Sequence, residues 1–223
     1  MPSSSIRRVE AAPQLEGRWD GPSWRHAPTL AVSHFHPRSS DHRPTAEAKL
    51  LHDGDALYVL FRVEDRYVRS VHTEFESDTY KDSCVELFVQ PKDRAGYFAL
   101  EVNCGGAFSL RYIEDPRRTP NRFVKWTAVS AADAARVRIA HSMPAVVEPE
   151  LAGPVSWWIE VALPSAAMEP CCGTIGSLSG QRWRGNLFKC GDETSHPHWA
   201  TWAPIGDELN FHQPRYFGDL DFE

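Results

Sequence analysis

No stretch of this sequence is apolar for long enough to cross a bilayer as a helix. No block of Lys and Arg occurs either. Arg7-Arg8 and Arg117-Arg118 are isolated pairs, the formal net charge is −6 and the isoelectric point is about 5.9. A duplex nucleic-acid binder carries a basic patch, so that class is set aside. Met1 to Pro13 lacks the apolar centre of a secretion signal, and the chain reads as cytoplasmic or as a trimmed, mature form. The five cysteines (Cys84, Cys104, Cys171, Cys172 and Cys190) are odd in number, two are adjacent, and none forms a CxxC pair. That argues against a disulfide framework and against a zinc ribbon or finger. Cys84 and Cys104 lie in strand-like runs, where cysteine acts as a small apolar residue. No GxSxG is present, so a Ser-His-Asp hydrolase has no support. Internal repeats, low-complexity tracts and a convincing long helix are also missing.

What the sequence has in quantity is aromatic surface and period-two alternation. Aromatics make up 11% of the 223 residues, including eight Trp. Strands are expected over 45–51 and 56–65, joined by an Asp53-Gly54-Asp55 turn in which glycine supplies positive φ. Further strands are expected over 84–90 and 97–103, on either side of a turn from Pro91 to Gly96, and over 108–113. Weaker signals cover 123–130 and 134–142. Strong ones cover 155–163, ending at Pro164, and 183–189, and 206–217 closes the domain. Residues 33–44 and 114–122 read as loops, and 164–168 as at most one helical turn. Many short strands divided by turns predict an all-β fold, an antiparallel two-sheet sandwich of jelly-roll type. Residues 1–16 form an N-terminal arm or first strand, and 17–223 form a single domain of a size common for such folds.

The most informative stretch is 82–103. Val85, Leu87, Val89, Phe98, Leu100 and Val102 should face the core, which forces Glu86, Phe88, Gln90, Tyr97, Glu101 and Asn103 to the other face. If Gln90 pairs with Tyr97, then Phe88 faces Ala99 and Glu86 faces Glu101, with Cβ atoms roughly 5 Å apart. Two carboxylates so placed need a cation, a shared proton or ligand hydroxyls, and Arg111 on the next strand is a candidate partner. The plain alternative is a solvated sheet face with an Arg bridge. The functional one is a sugar platform, in which carboxylates, Asn and Arg bond hydroxyls and flat rings cover C–H patches. Tyr80, Tyr97, Trp199 and Trp202 are the rings at hand.

The ordered series of motifs resembles the family 9 carbohydrate-binding modules. It comprises Leu57-Tyr58-Val59 through Val63-Glu64-Asp65, Asp82-Ser83-Cys84-Val85-Glu86-Leu87-Phe88-Val89, and Tyr97 through Asn103. It continues with Trp158-Ile159-Glu160-Val161-Ala162-Leu163-Pro164, Trp183-Arg184-Gly185-Asn186-Leu187-Phe188-Lys189, and Phe211-His212 with Pro214 and Phe217-Gly218. The resemblance runs from about residue 17 to the end. It implies a non-catalytic β-sandwich that binds the ends of plant-type poly- or oligosaccharides such as xylan between two aromatic rings, often with structural calcium, as an accessory to glycoside hydrolases. On that resemblance Tyr80 is one ring, where the family uses Trp, and Trp199 or Trp202 is the other. Glu86 is the hydrogen-bonding carboxylate, and Asp65, Glu101, Asn103 and Arg111 complete the polar set. Glu101 stands where the family leads one to expect a basic residue, and the calcium ligands do not map onto the sequence.

Three other readings remain open at this level. Glu86 and Glu101 have the separation of a glycosidase acid–base pair. His34 with His36, or His196 with His198, are pairs of transition-metal ligands without a third. A structural or interaction sandwich whose sugar site has decayed is the third.

Overall fold

The computed structural model describes residues 1–91, 95–120 and 122–223. Its strands in chain order are β1 (Ser3–Arg8), β2 (Leu30–Ala31), β3 (His34–Phe35), β4 (Thr45–His52), β5 (Ala56–Asp65), β6 (Val68–Ser70), β7 (Cys84–Gln90) and β8 (Tyr97–Asn103). They continue with β9 (Phe108–Arg118), β10 (Phe123–Ala128), β11 (Arg138–His141), β12 (Val147–Leu151), β13 (Val155–Pro164), β14 (Arg182–Cys190), β15 (Trp199–Thr201) and β16 (Gly218–Phe222). Two helices, α1 (Ala131–Ala134) and α2 (Ser165–Cys172), and two 3₁₀ turns, Thr79–Lys81 and Pro214–Tyr216, complete the described elements. Among the described residues, no helix is long and apolar enough to cross a membrane.

The strands hydrogen-bond in the order β10-β9-β8-β7-β14-β16-β1-β4-β5-β13-β11. Pairing along this path is antiparallel except at β1, which runs parallel to both neighbours. Ser3 to Ile6 pair with β16, and Arg7 and Arg8 pair with β4, so one strand hands the chain from one half of the sheet to the other. The all-β, sandwich-like expectation holds, but among the described residues the main sheet is mixed and curled rather than one of two antiparallel sheets, with β6 and β12 pairing apart from it. A run-by-run reading misses the mixed pairing because β16 lies some two hundred residues downstream of β1. The curl brings the halves face to face. Val85, Leu87, Val89, Phe98, Leu100 and Val102 share one buried cluster with Leu57, Val59, Phe61, Val63, Trp157, Ile159, Val161 and Leu163, giving a β-sandwich-like architecture.

Alternation explains which faces are buried, and a covering segment explains where alternation blurs. Tyr58 and Leu60, on the outer face of β5, are buried under Trp24, Ala27, Leu15 and Trp19. Two buried charges pin that covering segment. Glu160 accepts from the Gly17 amide at 2.7 Å and the Trp24 indole at 2.9 Å, and Lys49 donates to the Trp19 and Trp24 carbonyls. At the β4–β5 turn the Asp53 carboxylate accepts from the amides of Asp55 and Ala56, while Gly54 takes φ +106°.

Elsewhere the chain departs from expectation. The segment 206–217, read as the close of the domain, is irregular with a 3₁₀ turn, and a further strand, β16, follows it. Proline at 214 and the Asn210 and Gln213 side-chain bonds to nearby backbone favour the irregular path. The expected loop at 114–122 is strand up to Arg118. The expected strand at 134–142 shortens to β11 after the Ser130-capped helix α1, and α2 runs for eight residues. The turn expected from Pro91 to Gly96 falls largely on 92–94, outside the described residues.

Candidate functional site

The outer face of β7, β8 and β14 is the floor of a cavity of about 850 Å³. Its walls come from β9 and β10, from the segment around Thr79–Lys81, and from the loops at 191–199 and 205–212. The floor is set by register. Glu86 lies directly across from Glu101, and Phe88 from Ala99, which is the pairing expected from alternation. Cys190 lies opposite Cys84 on the other side of β7. Glu86 and Glu101 are only 3% and 4% exposed, yet both line the cavity.

The like charges are managed unequally. Glu101 accepts from the Ser109 hydroxyl at 3.2 Å and has an Arg111 nitrogen at 4.0 Å. Burial still pushes its pKa up, against the pull of Arg111. Arg111 bonds Glu76 more closely, at 2.8 Å. Glu86 accepts from the Cys190 thiol at 3.2 Å. Burial, then Cys190 and Glu101, raise its pKa well above the carboxylate range. The floor thus offers a carboxyl pair in which one member readily carries a proton, able to donate and to accept.

The walls are flat and apolar in places. Trp199 is held by β15 pairing to β14 and β3, by an exchange of bonds with Ser39, and by donation of its indole N–H to Asp192 at 2.6 Å. Burial lifts Asp192 to a pKa of about 6 despite that bond. Tyr80 and the 36%-exposed Trp126 also line the cavity. His212 sits against Phe88 with ring centroids 4.8 Å apart, and its Nδ1 is 3.0 Å from the Tyr97 hydroxyl. Burial lowers its pKa to about 3, so the ring is neutral.

Of the residues singled out from sequence, Tyr80, Glu86, Glu101, Arg111 and Trp199 line this cavity. Asp65, Asn103 and Trp202 do not. Asn103 spends its amide on the His72 carbonyl and the Asp82 carboxylate, and accepts from the Ala107 amide. Trp202 is buried in the core between the halves. Asp65 belongs to a separate buried network, bonded to His42 at 2.7 Å, to Lys189 at 3.2 Å and to the Trp157 indole. Burial alone would raise Asp65, but the Lys189 ammonium and His42 hold it well below the usual range. Sequence reasoning missed Glu76, Trp126, Asp192, Asn210 and His212, which sit on irregular segments or on a strand of weak pattern.

Two groups of described side chains have metal-ligand geometry, His42–Asp65–His198 and Cys84–Glu86–Cys190. Calcium takes six to eight oxygen ligands, and neither group fits it. The first already contains a cation, since Lys189 Nζ is 2.7 Å from His198 Nε2 as well as 3.2 Å from Asp65. The second is two thiols and a carboxylate. The other histidines pair off differently: the His196 ring stacks on Tyr67 at 3.7 Å, and His36 bonds the Asp207 carbonyl.

A sequence model of the family described as carbohydrate-binding family 9 matches residues 25–222. Among curated proteins none matches the chain. Among solved structures, a candidate carbohydrate-binding protein from Bacteroides uniformis ATCC 8492 is 27% identical, with 99% of both chains covered and a TM-score of 0.85. A carbohydrate-binding module of family 9 from Caldicellulosiruptor kristjanssonii, in complex with glucose, is 16% identical over 99% of this chain and 96% of that one, with a TM-score of 0.63. A family 9 carbohydrate-binding module from that organism in complex with cellotriose gives 16% identity, 100% and 94% coverage and a TM-score of 0.65.

Proposed function

This chain belongs to carbohydrate-binding family 9, and we propose that it holds the end of a β-linked plant-type oligo- or polysaccharide in the 850 Å³ cavity without covalent chemistry. The observation that carries this reading is the pairing of a buried carboxylate floor with flat rings at the wall. Glu86 and Glu101 present hydroxyl-bonding oxygens where water is scarce. Trp199, fixed by its indole bond to Asp192, and Tyr80 supply the rings that cover sugar C–H groups. Arg111 adds a donor fork beside Glu101. A cavity of this size matches small-ligand sites, and its enclosure by loops on several sides favours a chain end over the middle of a long chain. The Caldicellulosiruptor complexes with glucose and cellotriose make gluco-configured sugars the first to try. Affinity should be modest, because sugars give up good hydration on binding.

The test is isothermal titration with glucose, cellobiose, cellotriose, xylose and xylotriose, for the wild type and for Glu86→Gln and Trp199→Ala. Saturable binding is expected. Glu86→Gln should weaken it about 10-fold, the upper end for one hydrogen bond between neutral groups, with the melting temperature nearly unchanged, since the buried Glu86 carboxyl already favours its protonated form. Flat titrations across the panel would instead mean a structural or protein-binding sandwich. Release of reducing sugar that Glu86→Gln abolishes would mean a hydrolase using the Glu86–Glu101 pair.

A further inference from the structure

The floor of the cavity also holds a group of atoms that sugar recognition does not require. Cys84 and Cys190 are direct cross-strand partners on β7 and β14, and Glu86 follows two residues along β7, on the same face. Their two sulfurs and one carboxylate oxygen lie within 4.8 Å of one another. In a tetrahedral site with metal–sulfur bonds of about 2.3 Å, ligand atoms stand roughly 3.8 Å apart, so these three already span a metal-sized gap. Cys84 is fully buried, and Cys190 and Glu86 are 1% and 3% exposed, but the latter two line the cavity and give access from it. The Cys190 thiol and Glu86 are in contact at 3.2 Å, so two of the three ligand atoms already meet.

We propose that Cys84, Cys190 and Glu86 bind a thiophilic divalent cation of the zinc class at the cavity floor, with the fourth position open to the cavity. Two sulfurs select such an ion over calcium or magnesium, and Glu86 completes a three-ligand set. On binding, each S–H bond breaks, as does the O–H bond of Glu86 where that carboxyl is protonated; the freed electron pairs become the bonds to the metal and the protons leave to the buffer. Affinity therefore falls as pH falls. The inference goes beyond sugar binding and does not depend on it.

The experiment is titration of the reduced full chain with Cd²⁺, read in the ultraviolet thiolate-to-metal charge-transfer band, and with Co²⁺, read in the visible. The wild type should saturate at one equivalent. Cys190→Ser and Cys84→Ser should each lose the band, and a Cys171→Ser/Cys172→Ser double variant should keep it. Absence of the band in the wild type overturns the proposal whatever the variants do. So does a band that survives Cys190→Ser, or one lost in the Cys171/Cys172 double variant. Thermal melts of each variant separate a lost site from a lost fold. Sugar titrations run beside these distinguish the two readings: sugar binding without a band defeats the metal site alone, and a band with flat sugar titrations defeats the sugar reading alone.

Discussion

Two buried imidazoles oppose folding in acid. His198 is wholly buried, its Nδ1 faces the His196 carbonyl at 2.9 Å and its Nε2 faces the Lys189 ammonium at 2.7 Å. Burial and then Lys189 lower its pKa to about 3, and burial does the same to His212. In the unfolded chain both rings titrate near 6.5. The folded state therefore binds fewer protons between about pH 6.5 and 3. Their contribution to stability is present above 6.5 and is lost as pH falls through that window. For His198 the loss is about 2 kcal/mol at pH 5. Asp65, held low by Lys189 and His42, adds a further loss at still lower pH. Asp192, Glu86 and Glu101, whose pKa values burial raises, work the other way in the same range, so the imidazole is isolated by difference: in urea unfolding between pH 7 and 4, the pH slope of His212→Gln should differ from that of the wild type by about one proton, toward less destabilisation by acid, and an unchanged slope would mean that the fold does not hold His212 neutral. At this scale the sequence was partly legible. The Glu86–Glu101 opposition follows from period two and a shared turn. The inward fates of Asp65 and Asn103 do not, because each is decided by partners distant in sequence, Lys189 for one and Asp82 for the other. The choice between Trp199 and Trp202 likewise depends on which face of a short strand end turns inward.

At the scale of elements, alternation was a reliable guide wherever both neighbours of a strand are regular. β13 pairs with β5 along its whole length, and its inward row holds Trp157, 1% exposed. Trp157→Ala should cost about 3–5 kcal/mol by leaving a cavity, and it also removes the donor to Asp65. A stable Trp157→Ala variant would mean that the faces of β13 are assigned backwards. On the outer face, Gly17 has φ +66° and a Cβ there would lie 2.2 Å from the Trp158 ring. Gly17→Ala should therefore lift the covering segment off β5 and β13. Glu160→Ala should do the same by orphaning the Trp24 indole and the Gly17 amide. Hydrogen exchange should accelerate at 15–27 in both variants while β7 and β8 stay protected. Equal acceleration in β7 and β8 would show that the covering segment supports the whole sheet. From sequence, Trp19-Asp20-Gly21 with Pro22 and Trp24 reads as a turn with an anchoring ring, and the ring is indeed buried; what it anchors to was not legible, because Glu160 and Lys49 look like ordinary strand charges.

At the scale of the molecule, the link between the two halves of the sheet is a single strand read from sequence as an arm or a first strand. β1 supplies the parallel partner to β16 on one side and to β4 on the other. Ile6 is fully buried in the central cluster, and the Glu223 amide returns to the Ile6 carbonyl, so both chain ends close on one another. No local pattern announces such a role: parallel pairing needs no turn, and the partners of β1 are far away in sequence. The arrangement nevertheless makes a strong claim about stability. Removing residues 1–8 would strip hydrogen bonds from two strands at once and leave two unpaired edges in the middle of the sheet, each a template for association. With total stability of about 5–15 kcal/mol for a domain, that loss should abolish cooperative melting or drive aggregation. Ile6→Ala, which keeps the pairing and removes only packing, should cost about 2–5 kcal/mol and leave a cooperative transition. A truncated chain that melts cooperatively near the wild-type temperature would mean that β16 and β4 can meet without β1. The carboxylate floor, which is carried entirely by the β7–β8–β14 half, would then be expected to survive the truncation with its sugar affinity intact.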